Sequence, residues 1–174
     1  INIMDKLSKV SKIFLTITII SFIIWFGSYI TRQLYIFQFF EPENMELQSS
    51  ITQSSLSDIL SLMLPILLIN MIAYSFFIFS FLILLFLAKI SLKREGWLFI
   101  ITLIVFFTAP FEFYLLSIDY KITSLLLINY FDPNEIIGLL RERIVFFNSF
   151  PIIIIFLFTS SIILYLFKPL RKTQ

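Results

Sequence analysis

A few polar side chains inside otherwise apolar segments are the residues of this sequence best placed to do chemistry. Glu112 follows Pro110 in the run "TAPFEFYLLSIDY", and Asn70 lies within "LLINMIAYS". A carboxylate left in lipid costs about 3 kcal/mol or more, so it marks a functional hypothesis. Two interpretations of Glu112 stand side by side: contact with a substrate or lipid headgroup, or a carboxylate satisfied near its helix end, where Pro110 admits water. We expect Asn70 and Ser75 to form hydrogen bonds between helices.

The familiar catalytic and metal-binding patterns are missing. The 174 residues include no Cys and no His, which removes thiolate nucleophiles, disulfides and the commonest ligands of zinc and haem. No Walker motif, Gly-rich phosphate loop, nucleophile elbow or pair of catalytic carboxylates occurs. Glu41, Glu43 and Glu46 are a weak candidate for a cation site, since their spacing fits no known coordination loop. The sequence therefore predicts no catalytic residue, cofactor or metal site in this chain.

The composition is that of an integral membrane protein. Hydrophobic residues make up 59% of the chain and charged residues only 14%, and the mean hydropathy is +0.99. A soluble domain is about 25% charged, so this chain has too little polar surface to cover a water-facing globule. The net charge of +2 comes from residues at the ends of apolar runs and not from a basic stripe. Nucleic acid is therefore excluded as a partner.

Four apolar runs are long enough to cross a bilayer, which takes about 20 helical residues. We predict one transmembrane helical domain, residues 1–174, with helices at roughly 13–31, 59–88, 97–118 and 150–167. The first run follows three lysines, as a signal peptide would. It lacks a small-residue cleavage site, however, which favours a retained helix. Tyr29, Tyr114 and Tyr165 are predicted to lie at the membrane interfaces as aromatic anchors.

The distribution of Lys and Arg predicts the orientation, because cytoplasmic loops carry the excess. If each of the four runs crosses the membrane, the segments before, between and after them lie alternately on its two sides. One side carries Lys6, Lys9, Lys12, Lys89, Lys93, Arg94, Lys168, Arg171 and Lys172. The other carries less than half as many: Arg32, Lys121, Arg141 and Arg143. Both termini are therefore predicted to be cytoplasmic. The protein is predicted to be a multi-pass protein of the inner (cytoplasmic) membrane of a bacterium.

The segment between the third and fourth runs has a pattern of its own. In "DPNE", Asp132 is placed as an N-cap, Pro133 at the first helical position and Glu135 at the third. Apolar residues then recur every three or four positions, opposite Asn134, Gly138, Arg141 and Glu142. This pattern predicts an amphipathic helix at roughly 133–147, lying in the outer interface. The preceding "KITSLLLINYF" is too short to span and is predicted as a re-entrant or interfacial piece.

The same stretch carries a family resemblance. The runs "EFYLLSIDYKIT" and "NYFDPNEIIGLLRE" resemble the membrane region of lipoteichoic acid synthase and phosphoglycerol transferase-like proteins, of the alkaline phosphatase superfamily. In that family an acidic, aromatic helix end leads through a basic residue and an apolar stretch into an "NE[I/V][I/L]G" helix. The matching positions here are Asp119, Lys121, Asn134, Glu135, Ile136, Ile137, Gly138 and Glu142. The family usually has five membrane helices, and this chain has four candidates.

The resemblance implies a membrane anchor for a catalytic domain that transfers phosphoglycerol or phosphoethanolamine between lipid headgroups at the outer face. That domain, with its Thr nucleophile and divalent metal, is absent from this chain, which opens with Ile1 and is expected to be a fragment or half of a split gene. Membrane lipids are then partners. Candidates for headgroup contact are Glu112, Lys121, Arg141 and Arg143, although the three cations equally fit a helix that merely lies among headgroups.

Two functions of other classes compete with the transferase. A non-catalytic accessory subunit of a larger membrane complex suits the long aromatic helices and the lack of a conspicuous site. A small-solute transporter or channel is disfavoured, because the spans show no inverted repeats and no aligned polar residues.

Overall fold

The computed structural model describes residues 7–41, 46–49, 51, 53–88, 92, 95–128, 132–147 and 150–170. Within these ranges the chain forms five α-helices and no strand, so the expected all-helical class is confirmed. The helices are α1 (Lys9–Phe37), α2 (Gln53–Leu87), α3 (Gly96–Leu127), α4 (Pro133–Phe147) and α5 (Phe150–Phe167).

Four of the helices are long and apolar enough to cross a membrane, as the hydropathy predicts. They are α1, α3, α5 and the Asp58–Leu87 part of α2. Large apolar side chains cover their outer surfaces: Phe86 is 80% exposed and Phe156 is 72% exposed. Such a surface is suited to lipid and would be a liability in water.

Three helices extend beyond their predicted limits. α1 gains residues at both ends, and α2 begins at Gln53 and not near residue 59. α3 continues to Leu127, so "KITSLLL" is the last part of α3 and not a separate re-entrant piece. The helix continues because Ile122 and Thr123 lie on its buried face, against the rest of the protein. The hydropathy pattern does not reveal this extension of α3, because Asp119 and Lys121 interrupt the apolar run.

α1 and α2 pack along stripes with the 3.5-residue period of coiled coils. One series of buried residues in α2 alternates in steps of four and three, with Ala73 and Ser80 buried beside it: Leu56, Leu60, Met63, Leu67, Asn70, Tyr74, Phe77, Phe81 and Leu84. In α1 a series of buried residues spaced seven positions apart is polar or aromatic: Ser11, Thr18, Trp25 and Arg32. The buried face of α1 is thus more polar than its outer face, the reverse of a soluble helix.

α4 packs onto one end of the bundle with its apolar face inward. It begins as "DPNE" predicts, since the Asn134 amide donates to Asp132 Oδ1 over 2.9 Å. Ile136, Leu140 and Ile144 are buried in one apolar core with residues of α1, α2 and α3. A second, aromatic core around Trp25 joins the four long helices in the middle of the bundle. We call the end of the bundle that carries α4 the α4 end. The opposite end, where α1 begins and α5 ends, is the terminal end.

Described residues of the connection after α1 pack against this end. Phe39 and Phe40 are buried, and Phe40 forms an antiparallel bridge with Leu47. Several residues used in the sequence predictions lie outside the described ranges: Lys6, Glu43, Lys89, Lys93, Arg94, Arg171 and Lys172. The side chain of Phe147 is likewise not described.

Candidate functional site

A buried cluster of charged and amide side chains lies near the α4 end, contributed by α1, α2, α3 and α4. Arg32 NH1 donates to the carboxylate of Asp119 and, over 2.7 Å, to Asn70 Oδ1. Arg143 donates from Nε to the other Asp119 oxygen over 2.9 Å and from NH1 to Gln33 Oε1 over 2.8 Å. All five side chains are buried. We call this set the Asp119 cluster.

Asp119 is the centre of the cluster, because each of its oxygens accepts from a different guanidinium. Charge-assisted bonds of this kind are about twice as strong as neutral ones. Taking these ions out of water is nevertheless expensive, and removal of one partner of a buried pair costs about 3–5 kcal/mol. The cluster therefore makes the position of α4 depend on Asp119.

Asn70 connects the cluster to α1. Its Nδ2 donates to Ser28 Oγ over 3.0 Å and to the Trp25 carbonyl over 3.4 Å, while its Oδ1 accepts from Arg32. The predicted role of Asn70 between helices is confirmed. Ser75 differs: it is exposed and donates to Met71 of its own helix over 2.9 Å, so that prediction is wrong.

Glu112 lies next to the cluster, seven residues and two helical turns before Asp119 on α3. Its side chain is fully buried, within electrostatic range of Arg32 and Arg143. Tyr29 is a close neighbour, but neither carboxylate oxygen has a hydrogen bond of standard geometry to a described residue. Because Glu112 is fully buried and α3 continues to Leu127, its predicted position near a helix end at the interface is wrong.

Other buried polar atoms around Glu112 also have no hydrogen-bond partner among the described residues. They are Trp25 Nε1, the hydroxyls of Tyr29 and Tyr74, Arg32 Nε and NH2, and Arg143 NH2. Tyr29 is fully buried, so its predicted role as an interface anchor is wrong; its ring lies 5.1 Å from the Arg32 guanidinium carbon. Guanidinium and indole N–H groups are donors for water or phosphate-like oxygens. None of these groups is an activated nucleophile.

The cluster is unsuited to a metal ion. Two guanidiniums already neutralise Asp119, and in the described part of the chain no three His, Cys, Asp or Glu side chains come together. The divalent metal that the family resemblance implies does not fit the residues present here.

The four candidate headgroup residues separate into two pairs. Lys121 on α3 and Arg141 on α4 are exposed at the α4 end. Glu112 and Arg143 are buried, and Arg143 uses its guanidinium to hold Asp119 and Gln33. Glu142 is exposed and accepts from the Tyr114 hydroxyl over 3.1 Å, a second contact between α4 and α3.

No protein-family model, curated protein or solved structure matches this chain.

Sequence reasoning missed Arg32 and Gln33 as site residues and reached Asp119 only through the family resemblance. A signal for Arg32 was present in the polar stripe of α1, where every seventh residue from Ser11 is buried. Gln33 carried no such signal, because the meeting of Gln33 with Arg143 depends on where α4 docks.

Proposed function

We propose that this chain is the membrane-embedded region of a transferase of the lipoteichoic acid synthase or phosphoglycerol transferase type, which acts on lipid headgroups at the outer face. One observation carries the proposal: Asp119, in the first run that resembles this family, is bonded to Arg143 of α4, the residue that follows the second run. Ile136, another matching position, is fully buried on the inner face of α4. The resemblance thus involves residues that determine where α4 lies.

The role we propose for α4 is to form the floor of the headgroup site. Its polar face, with Gly138 and Arg141, is exposed, and Lys121 is exposed nearby on α3. With both termini in the cytoplasm, this face lies at the outer leaflet. Lys121 and Arg141 then lie at the level of the lipid phosphates. Arg143 acts differently in this proposal, as a buried group that holds α4 in position beneath the headgroups, with the Glu112 carboxylate buried within electrostatic range of it.

Catalysis in this proposal belongs to an extracytoplasmic domain that these 174 residues do not include. That domain supplies the nucleophile and divalent metal, and residues of this chain bind and orient the lipid. No residue here is assigned a catalytic role.

The alternative is an accessory subunit without chemistry of its own. The burial of every member of the Asp119 cluster favours it, since a sealed cluster is suited to bracing helices. Both functions place α4 at the outer face. They differ in the partner: a catalytic domain for the transferase, and other membrane subunits for the accessory protein.

The deciding experiment is purification of the natural protein from its own membrane through a tag at the chromosomal locus. Mass spectrometry would define the full polypeptide and its partners. Transfer of labelled phosphoglycerol or phosphoethanolamine from lipid would be assayed with and without Mn²⁺ or Mg²⁺. We expect a sulfatase-like domain, in the same polypeptide or bound to it, and metal-dependent transfer.

Variants of the same preparation test the role of α4. Asp119→Asn is expected to lower transfer at least tenfold by displacing α4. Ser117→Ala, exposed on the same helix, is the matched control and should leave transfer unchanged. A preparation with no such domain, no transfer and a defined set of other membrane proteins would contradict the transferase and support the accessory subunit.

A further inference from the structure

An apolar cavity of about 500 Å³ lies near the terminal end, between α1, α2, α3 and α5. This volume is within the range of about 300–1,000 Å³ typical of small-molecule sites. Its walls are mainly aromatic and branched aliphatic side chains, among them Phe22, Phe81, Trp97, Val105 and Phe158. It is distant from the Asp119 cluster, whose members do not line it.

Two of the three side-chain hydroxyls in the walls, those of Thr18 and Ser161, already form hydrogen bonds within the protein. Thr18 Oγ1 donates to the Phe14 carbonyl over 2.8 Å and lies 3.0 Å from Ser80 Oγ. Ser161 Oγ donates to the Leu157 carbonyl over 3.0 Å. A buried water needs two to four polar partners, and these walls contain few polar groups that could bind one. The cavity is therefore suited to hydrocarbon.

The cavity is open to the lipid side between α1 and α5. Ile19 and Ile23 of α1 and Ile162 of α5 belong to its lining and are also exposed on the outer surface. A hydrocarbon chain from the surrounding leaflet can enter there without crossing a polar barrier.

A cation and two aromatic rings lie where the cavity approaches the end of α5. Lys168 follows the last residue of α5, and its Nζ lies 5.8 Å from the Trp97 ring centre and 5.7 Å from that of Tyr165. Leu170 packs against Gly96 so closely that a Cβ on Gly96 would lie 2.8 Å from Leu170 Cβ. This contact fixes the chain around Lys168 to the start of α3. Lysine, Trp and Tyr together are typical of the headgroup level.

We propose that this cavity binds one anionic phospholipid, with an acyl chain between α1 and α5 and the phosphate at Lys168. The lipid comes from the leaflet that borders the terminal end. A partner's transmembrane helix fits less well, because such helices dock on stripes of small residues, whereas these walls are bulky apart from Thr18, Ala88 and Ser161. The proposal does not depend on the transferase function.

Tryptophan quenching tests it directly. The chain has 2 Trp, and Trp97 lines the cavity. Trp25→Phe leaves Trp97 as the single fluorophore and breaks no side-chain hydrogen bond to a described residue. The protein would be reconstituted in phosphatidylcholine vesicles with a rising fraction of phosphatidylglycerol brominated on its acyl chains. We expect saturable quenching at fractions well below those needed with brominated phosphatidylcholine.

Two variants separate the headgroup contact from the acyl-chain contact. Lys168→Gln should reduce the preference for phosphatidylglycerol about fivefold, the effect of one lysine near an anionic surface. Lys12→Gln, exposed on α1 towards the same end, is its matched control and should retain the preference. Ser161→Phe should fill the cavity and reduce quenching by both lipids; Ser161→Leu replaces it if the larger side chain prevents reconstitution.

The proposal is overturned by equal quenching from the two lipids in proportion to their fractions, since that is ordinary boundary lipid. It is also overturned by quenching that the Ser161 variants leave unchanged, or by no quenching at all. The last result would mean that the cavity is closed to lipid, for example by a protein partner.

Discussion

Arg143 of α4 donates from Nε to Oδ1 of Asp119 in α3 over 2.9 Å, and both side chains are buried. The bond fastens a short amphipathic helix to a long apolar one by charge, in addition to the apolar contacts of Ile136 and Leu140. Since Asp119 also accepts from Arg32 of α1, the position of α4 depends on one carboxylate that three helices share.

Replacement of Asp119 should therefore be severe. Asp119→Asn keeps the shape of the side chain but leaves two guanidiniums buried without their shared counter-ion. We expect the free energy of unfolding to fall by about 3–5 kcal/mol, measured by denaturant titration in detergent micelles. Ser117→Ala, exposed on the same helix, should change it by less than about 0.5 kcal/mol. Equal stability of Asp119→Asn and the natural sequence would show that the arginines do not need this carboxylate.

Glu112→Gln should cost far less than Asp119→Asn, although both residues are fully buried on α3. No side-chain hydrogen bond of Glu112 to a described residue is lost, so the change is limited to one charge near Arg32 and Arg143. The same titration checks the ranking. A Glu112→Gln loss as large as that of Asp119→Asn would show that the carboxylate supplies the main counter-charge.

Cysteine labelling tests the docking of α4 and the proposed orientation together. The chain has no Cys, so each introduced thiol is the single reactive site. A membrane-impermeant maleimide applied to intact cells should label Arg141→Cys and Gly138→Cys, which are exposed. It should not label Leu140→Cys or Ile144→Cys, which are 1% and 5% exposed.

Lys12→Cys provides the control for sidedness and should react only after permeabilisation. If Lys12→Cys is labelled in intact cells and Arg141→Cys is not, the orientation is the opposite of the one proposed. Equal labelling of Leu140→Cys and Arg141→Cys would instead contradict the packing of α4 without affecting the orientation.

Two glycines should respond to alanine in opposite directions. Gly138 of α4 has nothing within 4 Å of an added Cβ, so Gly138→Ala should stabilise the helix by about 0.5–1 kcal/mol. At Gly96 the added Cβ would lie 3.1 Å from the Leu170 carbonyl oxygen as well as against its Cβ. Gly96→Ala should therefore destabilise the protein by about 1–3 kcal/mol. Thermal unfolding of both variants checks the signs, and a neutral Gly96→Ala would mean that the chain beyond α5 moves aside.

The sequence by itself determined the class of the protein and much of its layout. Hydrocarbon-rich runs of sufficient length make four membrane-type helices almost unavoidable, because a backbone in lipid has to satisfy its own hydrogen bonds. The local chemistry of "DPNE" was equally informative: Asp132 caps α4, and the apolar spacing after it identified the buried face. These features depend on residues close together in the chain.

The tertiary structure alone decided which polar residues meet. Arg32 and Lys121 are both cations beside apolar runs, yet one is fully buried and the other exposed. The difference arises because Arg32 faces Asn70 and Asp119 across helix contacts. Hydropathy averages over all faces of a helix and cannot report such a contact. The cavity near Trp97 likewise follows from how α1 and α5 diverge, a property of packing that no single segment encodes.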